Sequence, residues 1–162
     1  MKNEENQKGI TLIALVVTSI VLLILAGVSI AMLTGENGIM SKAATASWKS
    51  KLGDAQDIVA LDVSDAMSKY FIHAYVDEND TESEAFTTID GAIEKGCTTA
   101  ATELGDGYTV IPNTTGGEGK IGIEYESNGK TYSVTGSLST TNTKVQWGKM
   151  QVGDCEVTPK GS

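Results

Sequence analysis

From Ile10 to Leu33 the chain runs for 24 positions without a charge, and 19 of those positions are hydrophobic. At roughly 1.5 Å per residue, a helix of that length measures about 36 Å, against a bilayer hydrocarbon core of about 30 Å. The pattern predicts a membrane-spanning helix over 10–33. Its polar residues Thr11, Thr18, Ser19 and Ser29 are hydroxyls, which bond back to a helix's own carbonyls. The run Thr34-Gly35-Glu36-Asn37-Gly38 then breaks the pattern with two glycines and an asparagine. Beyond it, Ala44, Trp48, Leu52, Ala55, Val59, Val63, Ala66, Tyr70 and Ala74 recur at three- and four-residue steps. That spacing predicts an amphipathic helix from about Ile39 to Val76, with Lys49, Asp54, Asp57, Asp62, Asp65 and Lys69 on the other face. Gly53 weakens this helix by about 1 kcal/mol relative to alanine.

The periodicity changes after Val76. Asp77–Glu84 carries five carboxylates but has neither a central glycine nor EF-hand spacing, so it reads as a solvated loop rather than a calcium site. Glu84–Lys95 reads as a short helix stopped by Gly96. Of the 18 glycines, 13 lie at or beyond Gly91, in a stretch of short alternating runs. Strands are predicted at Tyr108–Ile111, Lys120–Glu126, Lys130–Leu138, Thr143–Trp147 and Met150–Val157. Asn128-Gly129 between two alternating runs is the signature of a tight hairpin turn. Asn113–Gly119 reads as a flexible loop; it lacks the Lys-Ser/Thr ending and the following helix that phosphate binding requires. The reading is an α+β chain. Its long N-terminal helix, membrane-spanning in the first half and amphipathic in the second, packs on a C-terminal antiparallel β-sheet.

Composition narrows the function. The chain holds 162 residues with a net charge of −9, and all 12 of its Lys and Arg positions are lysine. A pI near 4.5 argues against a nucleic-acid partner. The single histidine, His73, sits among Phe71, Ile72 and Tyr75 and reads as structural. No nucleophile–base spacing is recognisable, so no catalytic residue is assigned, and no cofactor or metal is expected. Two cysteines and one histidine supply too few ligands for zinc. Trp48, Tyr70 and Tyr75 fall at helical spacing and read as core rather than as a ligand platform.

The most specific signal is Lys8-Gly9-Ile10-Thr11-Leu12-Ile13-Ala14-Leu15, a charged residue and a glycine followed at once by an apolar helix. Together with the continuation to Leu33 and Ile39, it resembles the leader and helix of type IV prepilins, in the pilin-like variant of Gram-positive bacteria. The resemblance covers about 30 residues strongly and the following helix loosely; the C-terminal half adds nothing to it. It implies cleavage by a prepilin peptidase after Gly9, N-methylation of Ile10, and assembly through Ile10, Leu12, Ala14 and Leu15 into a homo-oligomeric helical filament. An assembly ATPase and a platform protein would be the partners at the membrane. The precursor would be a single-pass protein of the cytoplasmic membrane, and the product an extracellular surface filament. The division that follows is a leader at 1–9, an assembly helix at 10–33, a break and amphipathic helix at 34–76, and a polar head at 77–162. The leader's Lys2, Lys8 and amino terminus against Glu4 and Glu5 favour a cytoplasmic leader.

Two positions depart from the family pattern. The mature chain would begin with Ile10 where the family usually has Phe, and Ala14 stands where the family usually carries a Glu that neutralises a neighbour's amino terminus. A buried ammonium without a partner is costly. Ala14 therefore also fits an alternative: an anchored extracellular binding module, or a minor pseudopilin that does not form bulk filament. The resemblance further implies a C-terminal staple between Cys97 and Cys155. Outside the membrane that bond would close a loop of about 59 residues, worth about 4 kcal/mol by loop entropy, while a host without oxidants would keep both thiols reduced.

Overall fold

The structure is a computed structural model that describes residues 2–35, 37–76, 86–115, 118–139 and 143–157, for 2–10, 114–115 and 118 the backbone alone. The acidic run at 77–84 lies outside the described residues. The chain forms two compact units, Met1–Ser47 and Trp48–Ser162.

The first unit is built on α1 (Lys2–Thr34) and the opening turns of α2 (Ile39–Tyr75). α1 begins well before Ile10, so the backbone of Lys8, Gly9 and Ile10 is helical and continuous with the apolar stretch that follows. It ends where the glycine-rich run predicts. Gly35 N–H donates to the Ala31 carbonyl at 3.0 Å, Gly38 N–H to the Gly35 carbonyl at 2.7 Å, and Lys42 N–H to the Gly38 carbonyl at 3.0 Å. A Cβ on Gly38 would lie 2.6 Å from the Leu33 carbonyl oxygen, so this turn closes only around a glycine.

The second unit is a helix-on-sheet layer. α2 continues through it, followed by α3 (Ile89–Leu104), β1 (Tyr108–Thr115), β2 (Glu118–Ser127), β3 (Lys130–Ser139), β4 (Lys144–Trp147) and β5 (Gln151–Val152). All pairings are antiparallel, in the order β1-β2-β3-β4, with β5 sharing the β3 edge with β4. Asn128 (φ 53°) and Gly129 (φ 69°) make the predicted hairpin turn and set the β2–β3 register, Tyr125 opposite Tyr132 and Ile123 opposite Val134. The Asn113–Gly119 stretch is strand at both ends, with Thr115 opposite Glu118, where a loop was expected. The last predicted strand shrinks to two residues, for a reason given below.

One face of the sheet, with Ile121, Ile123, Tyr125, Val134 and Leu138, shares a core with Trp48, Leu52, Ala55, Val59, Val63, Ala66 and Met67 of α2 and with Ala92, Ile93, Cys97 and Ala100 of α3. The predicted α2 stripe is buried only between Trp48 and Met67; Ala44 and Ala74 at its ends are exposed. Gly53 has nothing within 4 Å of the position its Cβ would take. Gly53→Ala should therefore raise stability by about 0.5–1 kcal/mol through helix propensity alone, read as a higher thermal midpoint.

α3 corrects the predicted helix at both ends. It starts at Thr88, whose side chain caps the helix by accepting from Gly91 N–H at 3.0 Å, and it ends at Gly105 (φ 73°). Gly96 does not stop it. Gly96 lies mid-helix against α2, where a Cβ would sit 2.7 Å from the Val63 Cα and 2.9 Å from the Asp62 carbonyl oxygen. The glycine is there for close approach.

The Asp62 Oδ2 at this crossing is buried with no hydrogen-bond partner. Desolvation, then the charges of Glu103 and Asp65, hold its carboxyl above the usual aspartate range. The folded state thus takes up this proton at higher pH than the unfolded chain does. Asp62 therefore adds stability as pH falls through the raised value, with the gain complete below the ordinary aspartate pKa. Asp62→Asn should raise the thermal midpoint at neutral pH and lose that advantage near about pH 3.5.

Candidate functional site

Two features of the chain stand apart from an ordinary core: the surface of α1 and the two faces of the sheet. Every large apolar residue from Leu12 to Leu33 is exposed, at 46–73%. In the second unit Leu52, Val59, Val63, Met67, Ile93, Ile121, Ile123 and Val134 are fully buried. From Leu12 to Leu33 α1 therefore exposes apolar side chains all round, the condition of a helix made for lipid or for other helices. It is a candidate membrane span by length and hydropathy. Its hydroxyls bond inward, as the sequence implies. Thr18 Oγ1 and Ser19 Oγ both donate to the Leu15 carbonyl, at 2.9 and 2.8 Å, and Ser29 Oγ donates to the Leu25 carbonyl at 2.8 Å. Thr34 does the same to Ile30 at 2.9 Å. No free hydroxyl donor is presented by these four side chains, so the surface is effectively that of an all-carbon rod. Leu12, Ala14 and Leu15 lie exposed on it.

The second unit carries an arrangement that helical spacing alone does not reveal. Tyr108, Tyr125 and Tyr132 occupy successive strands in register, and Trp48 of α2 closes the row. Ring centroids lie 4.8 Å apart for Tyr108–Tyr125, 6.3 Å for Tyr125–Tyr132 and 4.7 Å for Tyr132–Trp48. Lys51 Nζ donates to the Tyr125 hydroxyl at 2.8 Å. That hydrogen bond raises the Lys51 pKa and lowers that of Tyr125, while burial raises that of Tyr108. The row clamps the start of the buried part of α2 to the sheet. Trp48 is core, as read from the sequence, but its partners are the hairpin tyrosines.

The opposite face of the sheet is crossed by the chain's own C-terminal stretch. After β5, Gly153 (φ 119°) turns the backbone, and 153–157 runs back over β2 and β3 as a strap. Cys155 N–H donates to Glu124 Oε1 at 2.7 Å, and Cys155 Sγ lies 3.1 Å from Thr135 Oγ1. A Cβ on Gly122 would fall 2.5 Å from Cys155 Sγ and 3.2 Å from Val157 Cβ, so the glycine makes the seat for the strap. This is why the predicted Met150–Val157 strand stops at Val152.

The strap also corrects the expected staple. Cys97 and Cys155 are both free. Cys97 lies in the helix-side core with Ile121 and Ile123, whereas Cys155 packs on Gly122, whose Cβ direction is opposite. The sheet stands between the two sulfurs. Burial pushes the Cys97 thiol up to about 12, leaving it unreactive at neutral pH.

His73 is half-buried near the end of α2, its Nδ1 without a hydrogen-bond partner. Among the described residues no three His, Cys, Asp or Glu side chains converge on a metal-sized position. No family model, no curated protein and no solved structure matches the chain.

Proposed function

We propose that this chain is a structural subunit of a type IV pilus-like extracellular filament. It would wait in the membrane on α1, be cut after Gly9, and assemble by packing that helix against those of other copies. The observation that carries the reading is the contrast between the two units: the head buries its own core, while α1 exposes apolar side chains on every side. Such a surface needs lipid first and other helices later, and both are supplied if the helix moves from bilayer to filament. The Lys8-Gly9-Ile10 junction, just ahead of the uncharged stretch of that helix, supports the reading through its resemblance to a prepilin processing signal. The work done is assembly, driven by apolar packing, with no chemical step of the chain's own.

The test is co-expression with a prepilin peptidase. The expected product begins at Ile10, and Gly9→Val blocks its formation. A chain that keeps Met1 in the presence of active peptidase contradicts the reading.

Ala14 favours a second reading, an anchored extracellular binding module or minor pseudopilin. Position 14 is an exposed methyl group, with no carboxylate to meet a neighbouring subunit's amino terminus. Ala14→Glu separates the two. A bulk subunit limited by the missing charge gains filament yield, whereas an anchored module forms no filament with either residue.

A further inference from the structure

Cys97 and Cys155 are free, so the second unit holds no disulfide. The tyrosine row offers another place for a covalent tie. Its pairs are not alike, and the backbone explains the difference. Glu126 N–H donates to the Gly107 carbonyl at 2.9 Å, so the next pair along β1 and β2, Tyr108 with Tyr125, is a non-hydrogen-bonded pair. Directly opposite side chains come closest at such pairs. Tyr125 then turns its backbone groups toward β3, which makes Tyr125–Tyr132 a hydrogen-bonded pair with wider-set side chains. The ring centroids follow that alternation, at 4.8 Å for Tyr108–Tyr125 against 6.3 Å for Tyr125–Tyr132.

The two phenols of the close pair are prepared differently. The Tyr125 oxygen accepts from Lys51 Nζ at 2.8 Å and from the Ser127 hydroxyl, and both bonds favour the phenolate. A phenolate gives up an electron far more readily than a phenol. Burial keeps the proton on Tyr108, but this residue is only half-buried and stands on an edge strand, open to an oxidant from solution. Tyr75 is the easier tyrosine to reach, 76% exposed, yet its stacked neighbour is Phe71, which has no hydroxyl to form a phenoxyl radical.

We propose that Tyr108 and Tyr125, assisted by Lys51, are a site of oxidative cross-linking, joined ring to ring as dityrosine by a peroxidase-type oxidant that consumes hydrogen peroxide. Each phenol gives up one electron and its hydroxyl proton. The two phenoxyl radicals bond through the ring carbons beside their oxygens, and each ring becomes a phenol again by moving the displaced ring proton to its oxygen. Two electrons and two protons leave in all, and one peroxide takes them up as two waters. The bond ties β1, against which α3 packs, to β2, a tie that the two thiols cannot make. The inference rests on the second unit alone, and its failure leaves the filament reading untouched.

The full chain in detergent is to be treated with a haem peroxidase and hydrogen peroxide and then cut after lysine, which puts Tyr108, Tyr125 and Tyr132 in separate peptides. The expected product is a monomer lighter by two hydrogen atoms, with dityrosine fluorescence and the Tyr108 and Tyr125 peptides linked. Tyr108→Phe and Tyr125→Phe should each abolish it, and Tyr132→Phe should not. Lys51→Met should slow its formation several-fold at neutral pH, with the deficit closing near about pH 10, where an ordinary tyrosine ionises unaided. Four results overturn the proposal: linkage only between chains through Tyr75, Tyr125 linked to Tyr132 as often as to Tyr108, oxidation of Tyr75 with no Tyr108–Tyr125 product, or an unchanged rate in Lys51→Met.

Discussion

Gly96→Val is expected to separate α3 from α2 and to reduce the stability of the second unit by about 3 kcal/mol or more. The Cβ position already lies 2.7 Å from the Val63 Cα, and the obstacle is the α2 backbone itself, since the next atom is the Asp62 carbonyl oxygen. No rotamer change relieves it. The helices must move apart, which opens the core around Val59, Val63, Ile93 and Cys97. Chemical denaturation monitored by the fluorescence of Trp48, stacked on Tyr132, checks this with a probe inside the affected core. Valine tolerated within about 0.5 kcal/mol would show that the crossing is not close-packed.

Leu22→Asp acts on the other unit. Leu22 sits near the middle of the apolar stretch and is 65% exposed. Replacing leucine by aspartate at the centre of a membrane helix is unfavourable by about 3 kcal/mol on insertion scales, enough to lower the inserted fraction by about two orders of magnitude. The expected result is loss of the chain from carbonate-washed membranes. Leu61→Asp supplies the contrast: Leu61 is 70% exposed but lies on α2 in the second unit, and its charge should leave membrane retention unchanged. Equal retention of wild type and Leu22→Asp would mean that α1 is not what holds the chain to the membrane.

Much of the fold can be read from the residues because its signals are local. A 24-residue uncharged run, a glycine break and a three-four stripe place the end of α1, the turn and α2 within a few residues of where they lie, although α1 itself starts at Lys2, ahead of the uncharged run. Asn128-Gly129 does more: a two-residue turn centred there dictates that Tyr125 faces Tyr132 and Ile121 faces Gly136. The third tyrosine and Trp48 join that row only through tertiary packing, which no local pattern states. Glycine is where local reading fails. Gly96 and Gly105 look alike in sequence, yet one permits two helices to touch and the other ends a helix with a positive φ. Gly122 is likewise silent until the strap is seen lying on it. The expected Cys97–Cys155 staple fails for the same reason: loop entropy counts residues along the chain and does not register a sheet between the two sulfurs.

The apolar rod and the acidic head make separate demands, and the proposed filament is where both are met. Mass spectrometry of the N-terminal peptide from protein sheared off the cell surface as filaments tests that claim most directly. The account predicts a chain beginning with N-methylated Ile10. Filament-free preparations, or a chain that still begins with Met1 or starts near Met32, would contradict it.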